Sequence, residues 1–179
     1  MKKQNFNEIV PPIFKNVSYE NDVSDRIKEV TREQIRKGKG IYLWGAPGTG
    51  KTHVAWALAK NLIEDEYRVL FLNTAEFLER VRRDFNREYD DDEKGVFQEA
   101  MEFGGILILD DMGAENASPW VIERLSLIVN HRYEHILATI FTSNCDMEIL
   151  SKRLGDRVSS RILGMVEILQ KGGEDQRLT

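Results

Sequence analysis

Residues 45–52 read Gly45-Ala46-Pro47-Gly48-Thr49-Gly50-Lys51-Thr52, which has the form G-x-x-x-x-G-K-[ST]. Glycines at this spacing let backbone N–H groups close around phosphate oxygens, the Lys51 ammonium neutralises terminal phosphates, and the Thr52 hydroxyl helps hold magnesium. The chemistry on offer is binding of a nucleoside triphosphate. A second group points the same way, because Ile106-Leu107-Ile108-Leu109 runs directly into Asp110-Asp111. Four apolar residues ending in an acidic pair put Asp110 at the carboxyl end of a central strand, where it can hold the magnesium shell through water, with Asp111 beside an attacking water. Thr142-Ser143-Asn144 ends another apolar run. If that strand lies between the two just described, Asn144 stands near the terminal phosphate and can orient water. Arg157 and Arg161 are four apart and share one helical face. Read alone they are surface arginines paired to Asp156 or Glu148; beside a nucleotide site, one of them can complete a neighbouring subunit's site as an arginine finger.

These residues need a scaffold of short buried strands and covering helices, and the hydrophobic pattern supplies one. Ile41-Tyr42-Leu43-Trp44 precedes the glycine-rich loop and Val54-Ala55-Trp56-Ala57-Leu58-Ala59-Lys60 follows it, which is the strand, loop, helix order a phosphate site requires. Val69-Leu70-Phe71-Leu72 is too short for a helix and reads as a buried parallel strand, as do Ile106–Leu109, Ala138–Asn144 and Met165–Leu169. Val23, Ile27, Val30 and Ile35 recur at helical spacing over Asp22–Lys37. Pro119–Tyr133 is a packing helix with Ser118 as its cap. In the helix that begins near Thr74, the expected cap, Phe77, Leu78, Val81 and Phe85 share one face, and Arg80, Arg83 and Arg87 converge on the other. An arginine stripe on an acidic chain is a candidate single-strand contact; its plainer reading is a solvated face with pairs to Glu76, Glu79 and Asp84.

The 179 residues, 41% hydrophobic and 31% charged, suffice for one globular domain with a full core. Residues 1–22 lack a sustained period and read as an amino-terminal arm, extended or disordered, ahead of a domain over 23–179. No stretch approaches the roughly 18 apolar residues of a membrane span, and no apolar core follows the first lysines, so a cytoplasmic protein without a membrane partner is expected. The single cysteine, Cys145, agrees with a reducing compartment and reads as a packing residue. A net charge of −5 argues against general duplex binding, which leaves nucleic-acid contact to individual segments. His131 and His135 read as surface or packing residues, and Asp90–Glu93 as a solvated loop.

Taken together, Gly45–Thr52 followed by His53, the strand ending Asp110-Asp111-Met112-Gly113, Thr142-Ser143-Asn144, and Gly155-Asp156-Arg157-Val158-Ser159-Ser160-Arg161 resemble the AAA+ ATPases of the bacterial and phage replicative-helicase loaders. The resemblance extends from about Phe14 to the end of the chain. It implies an α/β P-loop core, a parallel five-stranded sheet flanked by helices with no separate helical lid domain. It also implies ATP and Mg2+ as cofactors, with residues 45–53 at the nucleotide and Thr52 and Asp110 at the metal. Lys51, Asp111 and Asn144, the first sensor, then serve hydrolysis. Arg161 is implied as the finger in trans, assisted by Arg157, and Arg177 as the second sensor. The implied partners are a replicative helicase, single-stranded DNA along Arg80, Arg83 and Arg87, and further copies of the chain on ATP binding. Asp111 stands where glutamate is common among AAA+ enzymes, which implies slow turnover. Two other readings are an IstB-type transposition helper ATPase and a nucleotide-switched adaptor with little hydrolysis; a metabolic P-loop kinase is more remote.

Overall fold

Five apolar runs become five strands in the computed structural model, which describes residues 4–84, 95–113 and 117–173. They are β1 (Gly40–Trp44), β2 (Val69–Asn73), β3 (Ile106–Asp110), β4 (Thr139–Ser143) and β5 (Val166–Gln170). All neighbours run parallel, in the spatial order β2-β3-β4-β1-β5. Parallel strands need crossover connections, and here helices provide them: α4 (Lys51–Glu64) after β1, α5 (Thr74–Asp84) and α6 (Val96–Glu102) after β2, α7 (Pro119–Glu134) after β3, and α8 (Met147–Leu154) with α9 (Asp156–Met165) after β4.

The order dictates which face each helix covers. The step from β1 out to β2 runs one way across the sheet and every later step runs back, so right-handed crossovers put α4 on one face and α5–α9 on the other. The two buried clusters follow that division. Ile41, Leu43, Ile106, Ile108 and Ile140 meet α4 and its neighbours, while Tyr42, Leu107, Leu109 and Phe141 meet the later helices. Alternation along each strand thus serves two cores, as expected of a sheet covered on both sides. At the point of reversal the carboxyl ends of β1, β4 and β3 stand side by side, the position where open α/β sheets bind ligands.

The segment that reads from sequence as an extended arm carries α1 (Phe6–Ile9), a 3-10 turn over Pro12–Phe14, and α2 (Tyr19–Asp22). Four-residue helices leave no period to detect, yet Phe6, Val10, Val17 and Tyr19 are buried, each contributing about 1.5–3 kcal/mol if fully withdrawn from water. Trp56 of α4 receives much of this segment: Phe14 stacks on it at 6.0 Å and Phe6 meets it edge-on at 6.1 Å, while Phe71 of β2 stacks on it at 3.7 Å. Gln4 closes the β2 edge, its amide donating to the Val69 carbonyl at 2.7 Å and accepting from the Val69 N–H at 2.8 Å. The helix expected over Asp22–Lys37 is α3 (Asp25–Arg36), separated from α2 by buried Val23 and by Ser24. Cys145 is buried in the second cluster, as its packing role requires.

Two local expectations need correction, and two short helices had no expectation at all. Thr74 does not cap α5: its hydroxyl donates to the Asp110 carbonyl at 2.8 Å, and the Asn73 side chain accepts the Glu76 N–H instead. The helix leading to β5 continues through Met165, so the last strand starts one residue later than its apolar run. α6 and α8 have no counterpart in the sequence reading, being two turns or so each. Ser118 does cap α7, accepting from the Val121 N–H at 3.3 Å. Among the described residues, no helix is long and apolar enough to cross a membrane.

Candidate functional site

β1 ends at Trp44 and the chain turns through residues 45–50 into α4. Gly48 and Gly50 have φ of 79° and 81°, a region costly for any residue with a Cβ, so the loop's course depends on both glycines. Gly45 is required for another reason: a Cβ there would lie 2.2 Å from the Lys171 carbonyl oxygen, where the chain leaves β5. Ala46 and Pro47 form the exposed rim, and Thr49 folds inward, donating to the Ala46 carbonyl at 2.9 Å. Lys51 and Thr52 open α4, so the first-turn N–H groups and the positive end of the helix dipole face the loop. Lys51 is buried, with its ammonium 2.9 Å from the Gly45 carbonyl oxygen and 2.8 Å from that of Ala46.

β4 lies between β1 and β3, the condition on which the placement of Asn144 depended. The register pairs Leu109 with Phe141, so Asp110 and Thr142 come next to each other at the strand ends. Asp110 is buried, and its carboxylate accepts from the Thr52 hydroxyl at 3.0 Å and from the Thr142 hydroxyl at 2.6 Å. Burial pushes its pKa above the ordinary carboxylate range; the Thr142 and Thr52 hydrogen bonds pull it back, with nearby Asp111 adding to the rise and Lys51 opposing it. Asp111 is half-buried in a left-handed turn with φ of 57°, and Asn144 Nδ2 donates to its Oδ1 at 2.9 Å. Residues from four segments therefore converge: the loop, the start of α4, the end of β3 and the end of β4.

The oxygen donors fit a hard cation. Thr52 and Asp110 present a hydroxyl and a carboxylate side by side, suited to an ion that takes few protein ligands and keeps the rest of its shell from water and phosphate. No cluster of three or more His, Cys, Asp and Glu residues forms a self-sufficient metal cage among the described residues.

Other sequence candidates stand apart from this centre. His53 Nε2 lies 3.1 Å from Asp22 Oδ2 and its ring meets Phe14 edge-on, which turns it toward the amino-terminal segment. Arg157 is exposed and Arg161 half-buried on α9, which packs with α7 and α8 on the opposite face of the sheet from α4. Arg161 Nε is buried with no hydrogen-bond partner among the described residues. On α5, Phe77, Leu78 and Val81 are buried while Arg80 and Arg83 are exposed. Arg87 and Phe85 lie outside the described residues, as does Arg177.

Several residues that sequence reasoning passed over hold the centre together. Thr142 Oγ1 accepts from the Asp111 N–H, and Ser143 Oγ donates to the Met112 carbonyl. The Tyr42 hydroxyl donates to the Cys145 carbonyl, and Arg153 donates to that of Gly113. Thr142 and Ser143 stood within a recognised motif; Tyr42 and Arg153 carried no sequence signal, since their roles depend on strand register and helix docking.

The model of the family described as IstB-like ATP binding protein matches residues 16–179. The chain is 28% identical over 168 residues to the replicative helicase loader DnaI of Bacillus subtilis (strain 168), covering 87% of this chain and 52% of that protein. It is likewise 28% identical over 162 residues to the Insertion sequence IS5376 putative ATP-binding protein of Geobacillus stearothermophilus, covering 86% and 61%. The chain thus spans a little over half the length of these relatives. A crystal structure of the DnaC helicase loader superposes with a TM-score of 0.78 at 27% identity, over 90% of this chain and 100% of that one.

Proposed function

This chain belongs to the IstB-like ATP-binding protein family, and on that premise we propose that it hydrolyses ATP as the switch of a replicative-helicase loader that assembles with copies of itself. The observation that carries the reading is the joining of two acids to two different motifs: Asp110 to Thr52 of the phosphate loop, and Asp111 to Asn144 of the neighbouring strand. The second pairing sets an acid and an amide side by side next to the loop, which supports orientation of a water as well as binding.

In this reading the N–H groups of residues 48–52 and the Lys51 ammonium bind the phosphates. Thr52 and Asp110 hold Mg2+, which supplies neutralisation of phosphate charge when bound. Asp111, fixed by Asn144, orients a water for in-line attack on the γ-phosphorus and accepts its proton. The bond to the bridging oxygen breaks, giving ADP and phosphate. Arg161 of an adjoining copy meets the developing charge, a role supported by its place on α9, which packs on the opposite face of the sheet from α4. The Arg161→Ala protein is expected to lose at least about a hundredfold in turnover while still binding ATP. Mixing it with an Asp111→Asn protein restores part of the rate, because one copy then supplies the acid and the other the arginine. Unchanged turnover in Arg161→Ala, at concentrations where the wild type assembles, contradicts the reading.

The exposed arginines of α5 support contact with single-stranded DNA. Replacing Arg80, Arg83 and Arg87 together by Ala should weaken single-strand binding and flatten its salt dependence, by about 2 in the log–log slope if all three meet phosphates. An unchanged slope assigns these arginines to a solvated face.

A second reading, a helper ATPase of transposition, has one observation in its favour: the insertion-sequence relative is as similar as the loader. Retention of a ring helicase and preference for single strands support the loader; a preference for duplex DNA together with a transposase supports the helper.

A further inference from the structure

We propose that Thr142 is the positioning residue that holds Asp110 and Asp111 in register with one another, a role that rests on the ATPase reading above. Its hydroxyl lies 2.6 Å from Asp110 Oδ1 and 2.9 Å from the Asp111 nitrogen. A backbone N–H can only donate, so the hydroxyl accepts from Asp111, and its single proton is left for the Asp110 carboxylate. One oxygen therefore links the side chain of the first acid to the backbone of the second, and the direction of both bonds is fixed.

The backbone of Thr142 holds the same turn from its other side, because its carbonyl accepts the Met112 N–H at 2.8 Å. Asp111 between these bonds has φ of 57°, a conformation that costs a non-glycine residue about 1 kcal/mol or more and persists only where its surroundings impose it. From that turn its carboxylate reaches Asn144. Thr142 is 1% exposed, so water cannot readily replace its hydroxyl. Asn144 and Thr52 each touch one acid, whereas Thr142 touches both; loss of its hydroxyl removes an acceptor from the strained turn and a donor from the carboxylate in a single step.

The test compares Thr142→Val, which keeps the shape and lacks the hydroxyl, with Thr142→Ser, which keeps the hydroxyl. Thr142→Val is expected to lose about 10–100-fold in kcat with KM for ATP changed by less than about 3-fold, and Thr142→Ser to recover most of the loss. Mn2+ affinity, measured by electron paramagnetic resonance with a non-hydrolysable ATP analogue, should fall about 10-fold in Thr142→Val and be regained in Thr142→Ser. Should Thr142→Val not fold, Thr142→Ala takes its place in the same assays. The proposal is overturned by a folded hydroxyl-free variant with wild-type kcat and Mn2+ affinity, or by a Thr142→Ser protein as impaired as the variants without a hydroxyl. A wild type that binds Mn2+ and nucleotide but shows no turnover overturns the ATPase reading instead, and the Mn2+ comparison then decides the role of Thr142.

Discussion

Arg132→Ala is expected to destabilise the protein by about 3–5 kcal/mol, the largest stability loss foreseen for any single side chain here. Arg132 is 0% exposed, and among the described residues it hydrogen-bonds to no carboxylate. Its donors are met by neutral acceptors: Nε by Thr139 Oγ1 at 2.8 Å, Nη1 by the Ala100 and Phe103 carbonyls at 3.3 and 2.9 Å, and Nη2 by those of Gly105 and Ala138 at 3.1 and 2.9 Å. Burial draws its pKa down to about 10, so it keeps its charge at neutral pH. These partners lie at the end of α6 and at the entries to β3 and β4, so one side chain of α7 ties three segments at the edge opposite the nucleotide site. Truncation removes a donor from each of these four carbonyls, three of them half-buried, and opens a cavity. Because a domain of this size has about 5–15 kcal/mol in total, such a loss approaches unfolding. Arg132→Lys should fare little better, since one ammonium cannot reach acceptors arranged for a planar fork. Urea titration measures the effect; a midpoint shift equivalent to less than about 1 kcal/mol would show that the neighbouring loops close over the gap.

Arg132 also marks where the sequence stopped being readable. The phosphate loop was legible because its chemistry is local: the spacing of Gly45, Gly48 and Gly50 ahead of Lys51 reports backbone geometry directly. The strands were legible because a sheet covered on both faces demands short unbroken apolar runs, and all five positions were found within a residue or two. Strand order was not, because it depends on which crossover passes over which strand, and the reading of Asn144 had to be left conditional on it. Once β4 is known to lie between β1 and β3, the roles of Thr142 and Ser143 follow from register alone.

Competing local options and tertiary packing account for the differences at the cap of α5 and in the amino-terminal segment. Asn73 and Thr74 can both cap a helix, and the tertiary position of the Asp110 carbonyl decided between them. α1 and α2 are held by Trp56 and Tyr19 packing rather than by their own propensity, which leaves little trace in composition. His53 adjoins the loop in sequence, yet the 100° step of the helix carries it round to Asp22.

Asp110→Asn should separate stability from activity, raising the first while removing the second. The Asp110 carboxylate is withdrawn from water, and burial is the main reason its pKa is raised. A carboxyl group whose folded pKa exceeds its unfolded value stabilises the fold fully only below the unfolded value, near 3.9, and that contribution is lost as pH rises through the folded value. At neutral pH the ionised group therefore works against folding. Asparagine carries no charge and still offers an oxygen to Thr142 and an amide to Thr52, so in buffer free of metal and nucleotide the variant should melt higher, by about 2–4 °C per kcal/mol of relieved desolvation. The difference should shrink as pH falls toward 4, where the wild type takes up its own proton. Mg2+ with ATP should reverse the order, because ligand that binds only the folded wild type adds RT ln(1 + [L]/Kd) to its stability and little to the variant's. Turnover should drop at least about a hundredfold, since the residue that would hold the cation has lost its charge. A variant that melts lower than wild type at pH 7, or a gap that widens in acid, would mean that the Thr142 and Thr52 hydrogen bonds, not burial, govern Asp110.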